Sequence, residues 1–230
     1  KNKIFVTYLP ESDEKEILSA VEFVDAKGFT PIVHLPARTM RDIDHVENFL
    51  INIRKLTKSD NILVIGGGGN QAGSIQSSMD ILESGLLEKY NFNKVKVAGH
   101  PEGSPDIDDE TLKKFLLAKE QIHSARVLDL EIVTQFFFEA EPFIKWDALL
   151  DTIGVTLPVR VGFPGPATFK TLLNFGLMSG VGNSLNFLKK NSNKIGDLLV
   201  KTSNDKLLME LVTASKYSKI GRPNGFHCYP

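Results

Sequence analysis

Apolar residues in this chain follow two rhythms that take turns: short solid runs, and longer stretches with a period near that of an α-helix. Solid runs of β-branched and aromatic residues read as strands buried on both faces, and the longer stretches as amphipathic helices. Lys3-Ile4-Phe5-Val6-Thr7-Tyr8-Leu9 is the first run, stopped by Pro10. Ser12 is placed to cap a helix, with Lys15 where a capping-box acid would sit, and Ile17, Leu18, Val21 and Val24 carry the helical spacing as far as Gly28. Pro31 to Leu35 gives the second strand, closed by Pro36, and Asp42 can cap a helix with Val46, Phe49, Leu50 and Ile53 inside. Asn61 to Ile65 runs into Gly66-Gly67-Gly68-Gly69, with a helix expected near Ile75 to Leu87. Lys94 to Gly99 is the fourth strand; it leads into His100-Pro101-Glu102-Gly103-Ser104-Pro105 and a helix from about Asp109 to His123.

The fifth strand, Ile132-Val133-Thr134-Gln135-Phe136-Phe137-Phe138-Glu139, contains one odd residue, Gln135. An amide buried unpaired in an apolar strand costs about 2 kcal/mol, so either the core or a ligand must satisfy it. A helix near Pro142 to Leu150 and the strand Pro158 to Phe163 follow. After the break at Pro164-Gly165-Pro166, helices are expected over Ala167 to Met178, Gly182 to Asn191 and Ile195 to Ser215, and Phe226-His227-Cys228-Tyr229 closes as a strand. Seven strands, each separated from the next by helix, predict an α/β fold with a parallel sheet, either doubly wound or a (β/α)8 TIM barrel. The chain begins at Lys1 without Met and enters a strand almost at once. The expectation is a single barrel domain over 1–230 whose first strand precedes Lys1.

Composition narrows the function classes. A net charge of −1, with Lys and Arg interleaved among acids, gives no basic face for nucleic acid. Cys228 is the one cysteine, which excludes an internal disulfide framework, and its plain reading is a small buried apolar residue. The acids and histidines lack a tight metal-ligand spacing, so no metal is expected. No apolar run approaches the roughly 20 residues that span a bilayer, and no signal peptide is visible. A cytoplasmic setting is the expectation.

In a parallel barrel the chemistry lies where strands end. Those ends are polar here: Thr7 and Tyr8; His34 and Arg38; Gly66–Gly69 with Asn70 and Gln71; His100, Glu102 and Ser104; Gln135 and Glu139; His227 and Tyr229. The glycine run is either a tight turn or a close backbone approach to a ligand, and it matches neither a Walker loop nor the spacing of a dinucleotide fingerprint. The Phe136–Phe138 run reads as core rather than as a stacking platform.

Val6-Thr7-Tyr8, Val33-His34-Leu35, Val97-Ala98-Gly99-His100-Pro101-Glu102, Thr134-Gln135-Phe136-Phe137-Phe138 and Phe226-His227-Cys228-Tyr229 stand in an order that resembles the methylenetetrahydrofolate reductase family, in a divergent branch. The resemblance covers nearly the whole chain and implies a (β/α)8 barrel that binds FAD along the strand ends. It further implies hydride transfer from NAD(P)H through the flavin to 5,10-methylenetetrahydrofolate, giving 5-methyltetrahydrofolate, by a cytoplasmic homo-oligomer. By position it makes Thr7, His34, Gly67, Gly68, Ala98, His100, Ser104 and Lys119 cofactor-binding residues, with Lys119 near the flavin phosphates. Gln135 becomes the amide that meets the folate pterin, which favours a ligand over the core as its partner. The chain also departs from the family. Gly66–Gly69 replaces an Arg-Gly-Asp whose acid lies beside the flavin, His100 replaces a Tyr, and the family's general acid would lie before Lys1. Losing an acid beside the flavin weakens stabilisation of a developing cation. Two further readings therefore stand: a flavin-independent, tetrahydrofolate-dependent methyl-transfer or one-carbon enzyme, and a non-catalytic folate-binding subunit.

Overall fold

The computed structural model describes residues 2–104, 107–125, 128–165, 205–216 and 223–229. Seven strands are described, β1(Lys3–Val6), β2(Thr30–Pro36), β3(Asn61–Ile65), β4(Lys94–Gly99), β5(Asp129–Phe136), β6(Val159–Pro164) and β7(Pro223–Tyr229). Backbone proximity divides the chain into two compact units: Lys1–Ala98 with Gln121–Glu131, and Gly99–Glu120 with Ile132–Pro230.

In the first unit β1, β2, β3 and β4 pair in parallel, with Phe5 beside Ile32, Val33 beside Ile62, and Val64 beside Val97. α1(Glu14–Ala26) returns the chain between β1 and β2, and α2(Ile43–Leu56) between β2 and β3. Asp42 caps α2 by accepting from the His45 backbone N–H at 2.8 Å, and Val46, Phe49, Leu50 and Ile53 are all fully buried, as their spacing implies. The cap of α1 differs from expectation. Asp13, not Ser12, holds it, accepting from the Lys15 backbone N–H at 2.9 Å. A carboxylate one residue later reaches the orphan amides of the first turn and suits the positive end of the helix dipole. Gly28, at φ +81°, ends α1. The helix expected over Ile75 to Leu87 is two shorter ones, α3(Ser78–Glu83) and α4(Leu86–Lys89), separated by Gly85 at φ +77°. A left-handed residue cannot continue an α-helix, so the apolar spacing carries through while the backbone does not.

In the second unit β5 pairs with β6 and β6 with β7, again in parallel. α5(Asp109–Ala125) precedes β5, α6(Ala140–Thr152) precedes β6 and α7(Asp205–Lys216) precedes β7. The Phe run is largely core: Phe136 and Phe137 are buried, and Phe137 stacks on Phe143 of α6 with ring centroids 5.6 Å apart. Gly99 is needed for packing, since a Cβ there would stand 2.5 Å from the Ile132 side chain and 3.1 Å from Trp146. Cys228 is exposed rather than buried, because alternate residues of β7 face solvent. The helices expected over 167–178 and 182–191 lie outside the described residues, and of 195–215 only the part within α7 is described.

Two substitutions separate the capping alternatives. Asp13→Ala is expected to lower stability by about 1 kcal/mol in urea unfolding, and Ser12→Ala to leave it within about 0.5 kcal/mol. A larger loss from Ser12→Ala would reverse the assignment.

Candidate functional site

Parallel pairing puts the C-terminal ends of β1 to β4 on one edge of the first unit, and that edge carries five of the expected residues. Thr7 follows β1 directly and is exposed; His34 is half-buried in β2, its ring edge-on to Phe5 at 6.0 Å; Ala98 is half-buried near the end of β4. Gly67 and Gly68 lie in the loop after β3, which is built rather than slack. The Arg38 backbone N–H donates to the Gly66 carbonyl at 2.9 Å, the Ala72 N–H to the Arg38 carbonyl at 2.8 Å, and the Ser74 N–H to the Arg41 carbonyl at 2.6 Å. These bonds pin the loop to the turn after β2. Gly67 stands at φ +81° with Pro36 so close that a Cβ would lie 2.8 Å from the proline side chain. At Gly66 and Gly68 a Cβ would meet nothing within 4 Å, so the backbone is uncovered there.

The second unit carries the other four. His100 follows β4 and Ser104 lies in the same loop, both half-buried; Lys119 is buried on α5; Gln135 is half-buried, one residue before the end of β5. Burial, and secondarily the charge of Lys119, push the His100 imidazole down to about 4. Burial alone pushes the Lys119 ammonium down to about 8. A cavity of about 620 Å³ opens beside His100, floored by Leu112, Leu116 and Trp146 and edged by Glu102 and Glu139. Ser104, Lys119 and Gln135 do not line it. A second cavity of about 610 Å³ lies between α6 and α7 and holds none of the expected cofactor or substrate residues.

Around Gln135 the ladder is irregular. Val133 stands opposite Arg160 and Phe136 opposite Gly162, so Thr134 and Gln135 together face the single residue Val161. Such a two-against-one bulge re-aims side chains and is frequent beside functional sites. Three contacts hold it. The Gly162 backbone N–H donates to Thr134 Oγ1 at 2.8 Å, the Tyr229 hydroxyl donates to the Thr134 carbonyl at 2.9 Å, and Gly162 has no room for a Cβ, which would lie 2.5 Å from the Thr134 carbonyl oxygen. β7 has the mirror irregularity: Asn224 and Gly225 face Arg160 alone, with Gly225 at φ +136° and the Arg160 guanidinium packed against it. Sequence reading missed both bulges. Their visible traces were two glycines, Gly162 inside the sixth expected strand and Gly225 just before the seventh.

Burial, and secondarily Arg160, push the His227 imidazole down to about 4, and its ring meets the Tyr229 ring at 4.4 Å. Among the described residues no group of three His, Cys, Asp or Glu side chains could hold a metal ion, and no helix is long and apolar enough to cross a membrane. No protein-family model matches the chain.

The two histidines make stability acid-sensitive with a definite sign. In the unfolded chain they take up protons near pH 6.5, but in the folded protein only near pH 4. Between those values the unfolded state binds more protons, so stability is complete above about pH 6.5 and declines as pH falls through the window. The His100 and His227 ring signals in NMR are expected to stay at their neutral positions down to about pH 5. His100→Gln should flatten the fall of the urea midpoint between neutral and acid pH.

Proposed function

We propose that this chain is a divergent methylenetetrahydrofolate reductase-like enzyme, built as a (β/α)8 barrel whose strand ends receive FAD and a folate in turn. The observation that carries the reading is Gln135. It is half-buried, in a bulge near the C-terminal end of β5, and among the described residues no hydrogen bond to its side chain is present. A carboxamide offers both a donor and an acceptor, which suits the paired donor and acceptor edge of a pterin. Thr7, His34, Ala98 and the open backbone at Gly66 and Gly68 would meet the flavin, and the loop's lack of an acid leaves the flavin edge without a negative partner. Bound flavin would relay hydride from NAD(P)H to the methylene carbon. Lys119, 5% exposed on α5, keeps in this reading its expected place near the flavin phosphates. A cytoplasmic setting and a homo-oligomer belong to the same reading.

The acid-free Gly66–Gly69 loop favours one rival, a tetrahydrofolate-dependent one-carbon enzyme that works without flavin. An absorption spectrum of the purified protein, before and after adding FAD, separates the two. Flavin bands that bleach with NAD(P)H are expected. A colourless protein that ignores FAD, with no NAD(P)H-dependent folate reduction, would overturn the reductase reading. Gln135→Ala is expected to weaken tetrahydrofolate binding about tenfold or more, as loss of a paired amide does. Unchanged binding would remove Gln135 from the site.

A further inference from the structure

The geometry points to Tyr229 as a positioning residue for Gln135: its hydroxyl, by fixing the Thr134 carbonyl inside the β5 bulge, sets where the Gln135 amide is presented. This assignment rests on the reading of Gln135 as the amide that meets substrate. Residues of all three strands of the second unit converge on the bulge. Thr134 is fully buried, and both of its polar oxygens are engaged: Oγ1 by the Gly162 N–H at 2.8 Å, and the backbone carbonyl by the Tyr229 hydroxyl at 2.9 Å.

The second of these bonds substitutes for a ladder bond. In a regular parallel pair the carbonyl of a mid-strand residue is met by a backbone N–H of the neighbouring strand. Where two residues face one, the ladder is disrupted and an extra residue is left without its regular partner. At Thr134 a side chain from β7, one strand further on, supplies the donor. Gly162 makes the reach possible, because a Cβ there would stand 2.8 Å from the Tyr229 ring as well as against the Thr134 and Gln135 carbonyls. The Tyr229 ring is itself gripped, edge-on to Phe136 at 5.5 Å and to His227 at 4.4 Å. The Tyr229 backbone is tied in turn, its carbonyl accepting from the Gly165 N–H at 2.5 Å. Burial pushes the phenol well above the usual tyrosine range, which keeps the hydroxyl a donor at neutral pH. Gln135 is adjacent to the fixed carbonyl, so its side chain inherits the geometry of the bulge without touching Tyr229 through a bond of its own.

The test uses the intact protein with isotope-labelled glutamine side chains, the signal missing from Gln135→Ala being that of Gln135. Tyr229→Phe keeps the ring and removes only the hydroxyl. The Gln135 amide signal is expected to shift or broaden while the other glutamine signals stay in place. Tetrahydrofolate binding should weaken about fivefold, the worth of one neutral hydrogen bond. Adding Tyr229→Phe to Gln135→Ala should weaken binding no further, since the two act through one contact. An unmoved Gln135 signal overturns the assignment. So does an equal loss of binding in both backgrounds, which a merely structural role would give. Should Tyr229→Phe fail to fold, fluorotyrosine incorporated into the intact chain, which alters the phenol as a donor while keeping the ring, is expected to move the Gln135 signal, and an unmoved signal overturns the assignment. If the wild-type protein does not bind tetrahydrofolate, the reading of Gln135 fails by itself, and the glutamine signal alone then decides whether Tyr229 holds the bulge.

Discussion

Parallel strand pairing is the constraint on which the rest of this protein depends. A parallel neighbour cannot be reached by a hairpin, so each strand must be followed by a crossover, here made by helices. Helices packed on the sheet exclude water from the strands they cover, and residues so covered must be apolar. Ile62, Leu63 and Val64 of β3 are accordingly all buried, although alternate residues point to opposite faces. What pairing and burial leave over is the strand end. Polar side chains can stand there with access to solvent or ligand, and Thr7, His34, His100 and Gln135 stand at or near such ends.

Charged groups that enter the interior are either paired or shifted toward their neutral form. Lys96 on β4 and Glu131 on β5 form an ion pair of 3.1 Å with both side chains about 5% exposed. Neither charge would be tolerated alone, because desolvation of a single buried ion costs several kcal/mol. Lys119 is buried on α5, and its ammonium is pushed down toward neutrality. His100 and His227 are held neutral by burial, each with a cation nearby that reinforces the effect. The interior of the second unit therefore settles protonation states in a way that surface residues of the same type would not.

The central strand of the second unit, β6, organises the departures from regularity. Arg160 packs against the Gly225 bulge of β7, and two residues later Gly162 accommodates the Thr134 bulge of β5. One strand thus uses its longest cation and its smallest residue to accept extra residues from both neighbours. Regular pairing would place Gln135 on the same face as Val133. With an extra residue inserted, the phase of the strand changes at that point, so the bulge rather than the alternation sets the direction of the amide.

Much of the fold was legible in the residues. β3 and β4 appear with the expected ends, α2 with the expected cap and inner face, and the strand–helix alternation with the expected parallel pairing. These features are local: the period of the apolar pattern and one capping side chain specify them, and the alternation leaves few topologies to choose from. The errors came where two neighbouring residues could do the same local work, as with Ser12 and Asp13, or where a glycine broke a helix whose apolar spacing continued, as at Gly85. Polar strand ends were visible as a set, and Gln135 stood out because an amide in an apolar run must be answered by something. Its setting was not visible. Whether Thr134 and Gln135 face one residue or two depends on the register between strands separated by a helix, and the donor to Thr134 comes from Tyr229, far along the chain. Sequence determined which segments form strands and helices and which residues need partners, because burial and periodicity are properties of short stretches. Only the tertiary structure decided which partners they received, because a hydrogen bond between distant residues exists only once the backbone has brought them within reach.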